Sequence, residues 1–193
     1  MDDYIDYSYQ SINKYGEELC GDNVEVVQKK DGVILVLADG LGSGVKANIL
    51  ATLTSKIAVT MLKEGLSIDE VLETITNTLP VCSKRQLAYS TFTIIDIKNT
   101  GEVYMIEYEN PSSFSYRLGK KFNLLKKERE INNKKILESY FQMRKGDFLI
   151  VVSDGVIHAG VGELLNLGWQ WENVDEYLEN LVKLEDNSKA ITQ

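Results

Sequence analysis

Two segments of the chain echo each other. Val33–Gly40 reads VILVLADG and Phe148–Gly155 reads FLIVVSDG, so each is an apolar run that ends in Asp-Gly. A short run that is apolar on every residue fits a strand buried on both faces, since successive side chains point to opposite sides of a sheet. A carboxylate at the end of such a strand projects from a rigid base into a cleft. The glycine after it lets the backbone turn tightly and approach a ligand. A third acidic turn, Gly21-Asp22, stands just before the strand that begins at Val24. Asp22, Asp39 and Asp154 are therefore expected to meet at one rim.

Clustered carboxylates without histidine suit hard, oxygen-loving cations such as Mg²⁺ or Mn²⁺ rather than zinc or copper. A pair of such ions about 3.5–4 Å apart can clamp the attacking and leaving oxygens of an in-line displacement. The balance of charge points the same way. Lys and Arg number 21 against 29 Asp and Glu, a net charge of −8. An acidic chain without a basic block is poorly suited to nucleic acid. It would also repel an anionic substrate unless bound cations reversed the local field. Taken singly, each Asp-Gly reads equally well as an ordinary turn.

The single histidine, His158, excludes paired-His zinc sites, and any Ser-His-Asp triad would have to use it. It follows the second Asp-Gly and could donate a proton to a leaving group or simply satisfy loop carbonyls. Cys20 and Cys82 form no CxxC and read as reduced, structural thiols of a cytoplasmic protein. The start, MDDYIDYSYQ, is too acidic for a secretory signal, and the longest apolar runs are too short to span a bilayer. Asp39-Gly40-Leu41-Gly42-Ser43-Gly44 leads into a helix and is a natural anion site. Its GxGxG spacing is not the dinucleotide fingerprint, and Gly-Lys-Ser/Thr is absent.

Along the rest of the chain, alternation at Ile5, Tyr7 and Tyr9 predicts a first strand. A strand over 24–29 follows, then a turn at Asp31-Gly32. From Val45 the period changes, and Leu50, Leu53, Ile57 and Met61 predict the buried stripe of a helix that ends at Gly65. Ser67 and Glu70 form a capping box for a second helix, with Ile68, Val71, Leu72, Ile75 and Leu79 inward and Pro80 as its stop. Segments 91–97 and 102–108 flank a hairpin turn at Asn99-Thr100-Gly101. Further turns fall at Asn110-Pro111, Leu118-Gly119, Asn132-Asn133 and Arg144-Lys145-Gly146-Asp147. A last helix is expected from Asn173, burying Val174, Tyr177, Leu178, Leu181 and Val182. Trp169 and Trp171, with Leu164, Leu165 and Leu167, are expected to be packing. The order is strands, two helices, strands and a helix, which is an α+β chain with antiparallel hairpins in one domain over 1–193.

CGDN at 20–23, ADGLGSG at 38–44 and VVSDG at 151–155 occur in the order of a known family. Through them the chain resembles the type-2C metal-dependent serine/threonine protein phosphatases, in the bacterial SpoIIE-like branch. GVKANILATLTSK and SDGVIHAGVGELLNLGWQWENV extend the resemblance over most of the chain. It implies an αββα sandwich of two antiparallel sheets flanked by helices, with two Mn²⁺ or Mg²⁺ ions at the sheet edges. It implies that Asp22 and Asp39 are metal ligands, with Asp39 bridging both ions. The Gly40 carbonyl would ligate one ion and Asp154 the other. The implied reaction is hydrolysis of phosphoserine or phosphothreonine on a protein by a metal-bridging water. The implied substrate is a regulatory protein such as a STAS-domain anti-anti-sigma-type factor. The same three aspartates are then the catalytic residues.

The sequence departs from that pattern at its end. A Gly-Asp-Asp segment and a final strand are expected there, but Asp186 is followed by Asn187-Ser188. The domain is read as truncated at its C-terminus, with weak metal affinity and low activity. Lys46, Lys84 and Arg85 are the available phosphate clamps. Two other functions compete: a pseudophosphatase that serves as a regulatory protein-binding module, and a nucleotide-binding domain built on the Gly-rich loop. The acidic surface and the two tryptophans are compatible with either a monomer or an oligomer.

Overall fold

The computed structural model describes residues 5–78, 90–132, 134–161 and 165–193. Leu79, Pro80, Cys82, Lys84, Arg85, Asn133 and Leu164 lie outside these residues, so the expectations placed on them are not addressed. The elements in chain order are β1 (Asp22–Gln28), β2 (Gly32–Gly40), α1 (Gly44–Lys63), α2 (Ile68–Thr78), β3 (Ser90–Lys98), β4 (Glu102–Tyr108) and β5 (Phe114–Arg117). They continue with β6 (Lys120–Lys121), β7 (Lys126–Ile131), β8 (Lys134–Gln142), β9 (Asp147–Ile150), α3 (Asp154–Ile157), α4 (Trp171–Leu181) and α5 (Ser188–Thr192).

Among the described residues, nine strands form two antiparallel sheets, one in the order β1-β2-β3-β4-β8-β7 and the other β6-β5-β9. Three apolar clusters cement the layers. Ile34, Val36, Ile94 and Ile106 of the larger sheet bury against Leu50, Ala51, Ala58 and Val59 of α1 and Val71, Leu72 and Ile75 of α2. On the other face of that sheet, Val33, Ile95, Val103 and Met105 meet Leu149 and Val151 of the smaller one. Phe114 and Tyr116 then carry Val174, Leu178 and Val182. The result is helices, sheet, sheet and helix, the expected αββα sandwich. It explains why β2 is apolar on consecutive residues, since one face meets helices and the other meets a sheet.

Local chemistry sets several boundaries as expected. The Ser67 backbone N–H and hydroxyl both donate to Glu70 Oε2, at 2.8 and 2.7 Å, which starts α2. Residues 99–101 join β3 to β4. The turn at 144–147 joins strands of different sheets, carrying the chain from β8 across to β9.

Four expectations are corrected. No strand forms over Ile5–Tyr9. That segment is tied to α5 instead: Asp6 Oδ2 accepts the Ser188 N–H at 2.7 Å, and Ser8 Oγ lies 2.7 Å from Thr192 Oγ1. The buried face of α1 is rotated from the predicted stripe, so that Leu53 is exposed while Ala47, Ala51, Thr54, Ser55 and Ala58 are buried. Small side chains let the helix lie close to the sheet. The Thr54 and Ser55 hydroxyls cost little there, because each donates to a carbonyl one turn back, at 2.9 Å. Helix α4 starts two residues early, at Trp171. That ring stacks on Phe114 at 4.7 Å and its Nε1 donates to the Ser112 carbonyl at 2.9 Å. Leu165 and Leu167 are exposed, so among the described residues of that group the two tryptophans pack and these leucines do not.

Helix α1 is also the one described helix long and apolar enough to cross a membrane, with a mean hydropathy of 1.2. Lys46, Asn48, Lys56 and its Thr and Ser residues interrupt any continuous apolar run, which is why the sequence did not mark it. In this fold its inner side belongs to the core.

Candidate active site

Asp22 opens β1 and Asp39 lies near the end of β2, and the two are direct partners in the antiparallel register. Side chains two residues apart share a face of a sheet. Asp22 therefore shares a face with Val26, and Asp39 with Leu35 and Val33. Those three residues pack in the cluster between the sheets. Both carboxylates thus face the smaller sheet. From that sheet β9 leads through Val151 and Val152 to Ser153 and Asp154, at the start of α3. The Ser153 hydroxyl donates to Asp22 Oδ2 at 2.7 Å, joining the two Asp-bearing motifs across 131 positions of sequence.

The electrostatics match this convergence. Burial, then the neighbouring charges of Asp22 and Asp154, push the Asp39 carboxyl up from 3.8 to about 8. Cys20 is raised as well, first by burial. Among the described residues no three His, Cys, Asp or Glu side chains are already closed into a cation cage. The aspartates are neighbours, and burial with the charges of Asp22 and Asp154 disfavours the ionised form of Asp39. An all-oxygen donor set with surplus negative charge fits a hard divalent cation. Asp22, Asp39 and Asp154 could hold one.

Beside the carboxylates, Thr91 of β3 is the register partner of Asp39. Its hydroxyl donates to Asn110 Oδ1, and Asn110 Nδ2 donates to Thr93 Oγ1 at 3.1 Å. Gly40 has a tight requirement: a Cβ there would lie 2.0 Å from the Ala47 carbonyl oxygen of α1. Gly40→Ala is expected to cost at least about 2 kcal/mol, lowering Tm by roughly 4–8 °C, because backbone rather than a flexible side chain blocks it. A thermal melt followed by circular dichroism checks this.

The sequence missed Ser153, Thr91 and Asn110. Ser153 was visible only as the residue before an Asp-Gly, and the threonines only as strand formers. His158 is exposed at the end of α3, its N–H bonded to the Asp154 carbonyl at 2.9 Å. Lys46 is exposed in the first turn of α1.

The stage II sporulation protein E (SpoIIE) profile matches residues 29–192. The chain belongs to the SpoIIE family. No curated protein sequence matches it. Among solved structures it is similar to the PP2C phosphatase domain of Bacillus subtilis SpoIIE, solved with a fragment of its regulatory domain. That match has a TM-score of 0.74 and 19% identity over 94% of this chain and 53% of that one. It is similar to the RsbU and RsbW domains of Rv1364c from Mycobacterium tuberculosis, with a TM-score of 0.67 and 14% identity over 89% and 49%. A third similar structure is RsbX in complex with magnesium, with a TM-score of 0.65 and 18% identity over 95% and 82%. The chain spans about half the length of the first two. These likenesses establish a PP2C-like phosphatase fold.

Proposed function

We propose that this SpoIIE-family chain is a divalent-cation-dependent phosphatase acting on phosphoserine or phosphothreonine of a regulatory protein. The observation that carries the proposal is the convergence of Asp22, Asp39 and Asp154: Asp22 and Asp39 are register partners, and the Ser153 hydroxyl beside Asp154 donates to Asp22. In this reading these aspartates and the Gly40 carbonyl hold Mn²⁺ or Mg²⁺, two ions in the complete set. Bound there, the ions would neutralise phosphoryl charge and acidify water at the site.

The chain's own residues do the rest. Asp39 would offer its carboxylate to such an ion beside those of Asp22 and Asp154. Gly40 keeps the strand end close against α1, so that the Asp39 backbone is held rigidly. Ser153 fixes Asp22. His158, one turn beyond Asp154, is the side chain assigned to test for proton transfer to the leaving oxygen. A phosphorylated STAS-type protein is the proposed substrate, in the cytoplasm. A regulatory protein partner is supported by the similar structures of the RsbU and RsbW domains of Rv1364c and of the bacterial stressosome, described as a modular system adapted to control secondary messenger signaling.

The unclosed carboxylate set among the described residues favours a second reading, a weakly active module that binds a regulatory protein. Hydrolysis of an aryl phosphate with and without millimolar Mn²⁺ separates the two. Activity that needs Mn²⁺ and falls at least about 100-fold in Asp154→Asn is expected. Equal activity in chelator, or in Asp154→Asn, would overturn the enzymatic assignment. Asp154 is exposed, so its substitution should leave the fold intact.

A further inference from the structure

Ser153 stands at the N-cap position of α3, with extended backbone at φ −80° and ψ 171°. A serine at that position ordinarily accepts a hydrogen bond from the first turn of its helix. This one makes no side-chain cap bond. It is only 6% exposed, and its hydroxyl is spent on Asp22 Oδ2 at 2.7 Å. A buried hydroxyl that forgoes its local acceptor role and donates across the interface between two sheets is doing something other than starting a helix.

We infer that Ser153 is a positioning residue for the Asp22 carboxylate, holding it in the orientation that accepts a divalent cation. The inference rests on the metal-dependent reading above. Asp22 begins an edge strand, with β2 as its one strand neighbour. Its side chain also meets Asp39 and Cys20, and the Ser153 hydroxyl is the buried donor that selects among its staggered rotamers. A hydrogen bond to a charged carboxylate is shorter and stronger than a neutral one, and it narrows that choice. The donor also sits one residue before Asp154. The same contact therefore restrains the separation of the Asp22 and Asp154 backbones, which come from the start of β1 and the start of α3. Holding a ligand by an outer hydrogen bond of this kind typically changes metal affinity by about 10–100-fold.

The test is Mn²⁺ binding by isothermal titration calorimetry to the whole chain, with the metal-free melt of each variant recorded beside it. Ser153→Ala and Ser153→Cys remove the strong donor, and Ser153→Thr keeps it. Asp22→Asn reports loss of the ligand itself. Expected are an affinity about 10-fold or more weaker in Ser153→Ala and Ser153→Cys, and recovery to within about 3-fold of the parent in Ser153→Thr. Their metal-free melting temperatures should stay near that of the parent. A merely structural serine would lower the melt without this pattern of loss and rescue. If Asp22→Asn loses Mn²⁺ while Ser153→Ala and Ser153→Cys bind it as the parent does, the role of Ser153 is overturned and the metal site stands. If the folded parent binds no Mn²⁺, the metal-dependent reading falls and this inference falls with it. Should Ser153→Ala fail to fold, the near-isosteric Ser153→Cys carries the comparison alone.

Discussion

Asp39→Asn is expected to act in opposite directions on activity and on stability. Mn²⁺-dependent hydrolysis of an aryl phosphate should fall about 10³-fold or more, which corresponds to roughly 4 kcal/mol of lost stabilisation of transferring charge. The metal-free chain should nevertheless become harder to unfold at alkaline pH. Asp39 is the carboxylate that pays most for its neighbours, pushed up to about 8 by burial and then by Asp22 and Asp154. A carboxyl raised in the folded state contributes stability that is full below its unfolded value of 3.8. That contribution is lost as pH rises through about 8. The parent should therefore melt progressively lower between pH 5 and pH 9 in chelator, whereas Asp39→Asn should show a flatter profile. Near pH 9 the variant should melt roughly 2–8 °C higher, for about 1–2 kcal/mol. Melts at several pH values in chelator check this. A variant less stable than the parent near pH 9 would mean that Asp39 is held by a compensating charge rather than crowded by like ones.

Lys126→Met is expected to be among the most destabilising single changes in the chain, costing about 3–5 kcal/mol. Glu107 is 2% exposed and lies on β4, on the face turned toward the smaller sheet. Its Oε1 accepts the Ser113 backbone N–H at 2.8 Å. Its Oε2 pairs with Lys126 Nζ of β7, and neither atom has a separate hydrogen-bond partner. Removing the lysine leaves a carboxylate buried without its counter-charge. Tm should drop by roughly 6–20 °C. The double variant Glu107→Gln with Lys126→Met should recover most of the loss, because the amide oxygen still serves Ser113 and no charge remains. Denaturant unfolding of the two single variants and the double variant measures the coupling. Full additivity would show that the pair does not act as a unit.

Much of this architecture was legible because its signals are local. The capping box at Ser67 and Glu70, the turn at 99–101 and the two strands ending in Asp-Gly are each specified within a few residues. The structure forms the capping box, the turn and the β2 strand that ends in Asp39-Gly40, whereas β9 stops at Ile150 and Asp154-Gly155 opens α3 instead. The partition into a six-stranded and a three-stranded sheet was supplied by resemblance and not by pattern. The turn at 144–147 has the same residues whether it joins neighbours in one sheet or crosses to another. Alternation at Ile5, Tyr7 and Tyr9 failed as a strand signal because a strand needs a partner edge, and this segment is held by α5. The α1 stripe was misplaced because counting large apolar residues passes over alanines and self-satisfied hydroxyls, which are what permit close packing.

The candidate site divides the same way. Asp39 and Asp154 stood out as carboxylates at the ends of apolar runs and Asp22 as an acidic turn before a strand, and the three are neighbours in the structure. Ser153 did not stand out, because a serine before Asp-Gly looks like an ordinary helix cap. Its partner lies 131 positions away and only the fold reveals it. Glu107 reads in sequence as the polar half of an alternating strand. Its burial depends on a second sheet covering that face.

The central claim is that Asp22, Asp39 and Asp154 form one cation site across the two sheets. An anomalous difference map at the manganese edge, from crystals of this chain grown at about pH 8 with millimolar Mn²⁺, tests it most directly. The account predicts a peak bounded by the three carboxylates, weakened or lost in crystals of Asp39→Asn. Well-ordered crystals with no peak there, or with manganese bound elsewhere on the chain, would contradict it.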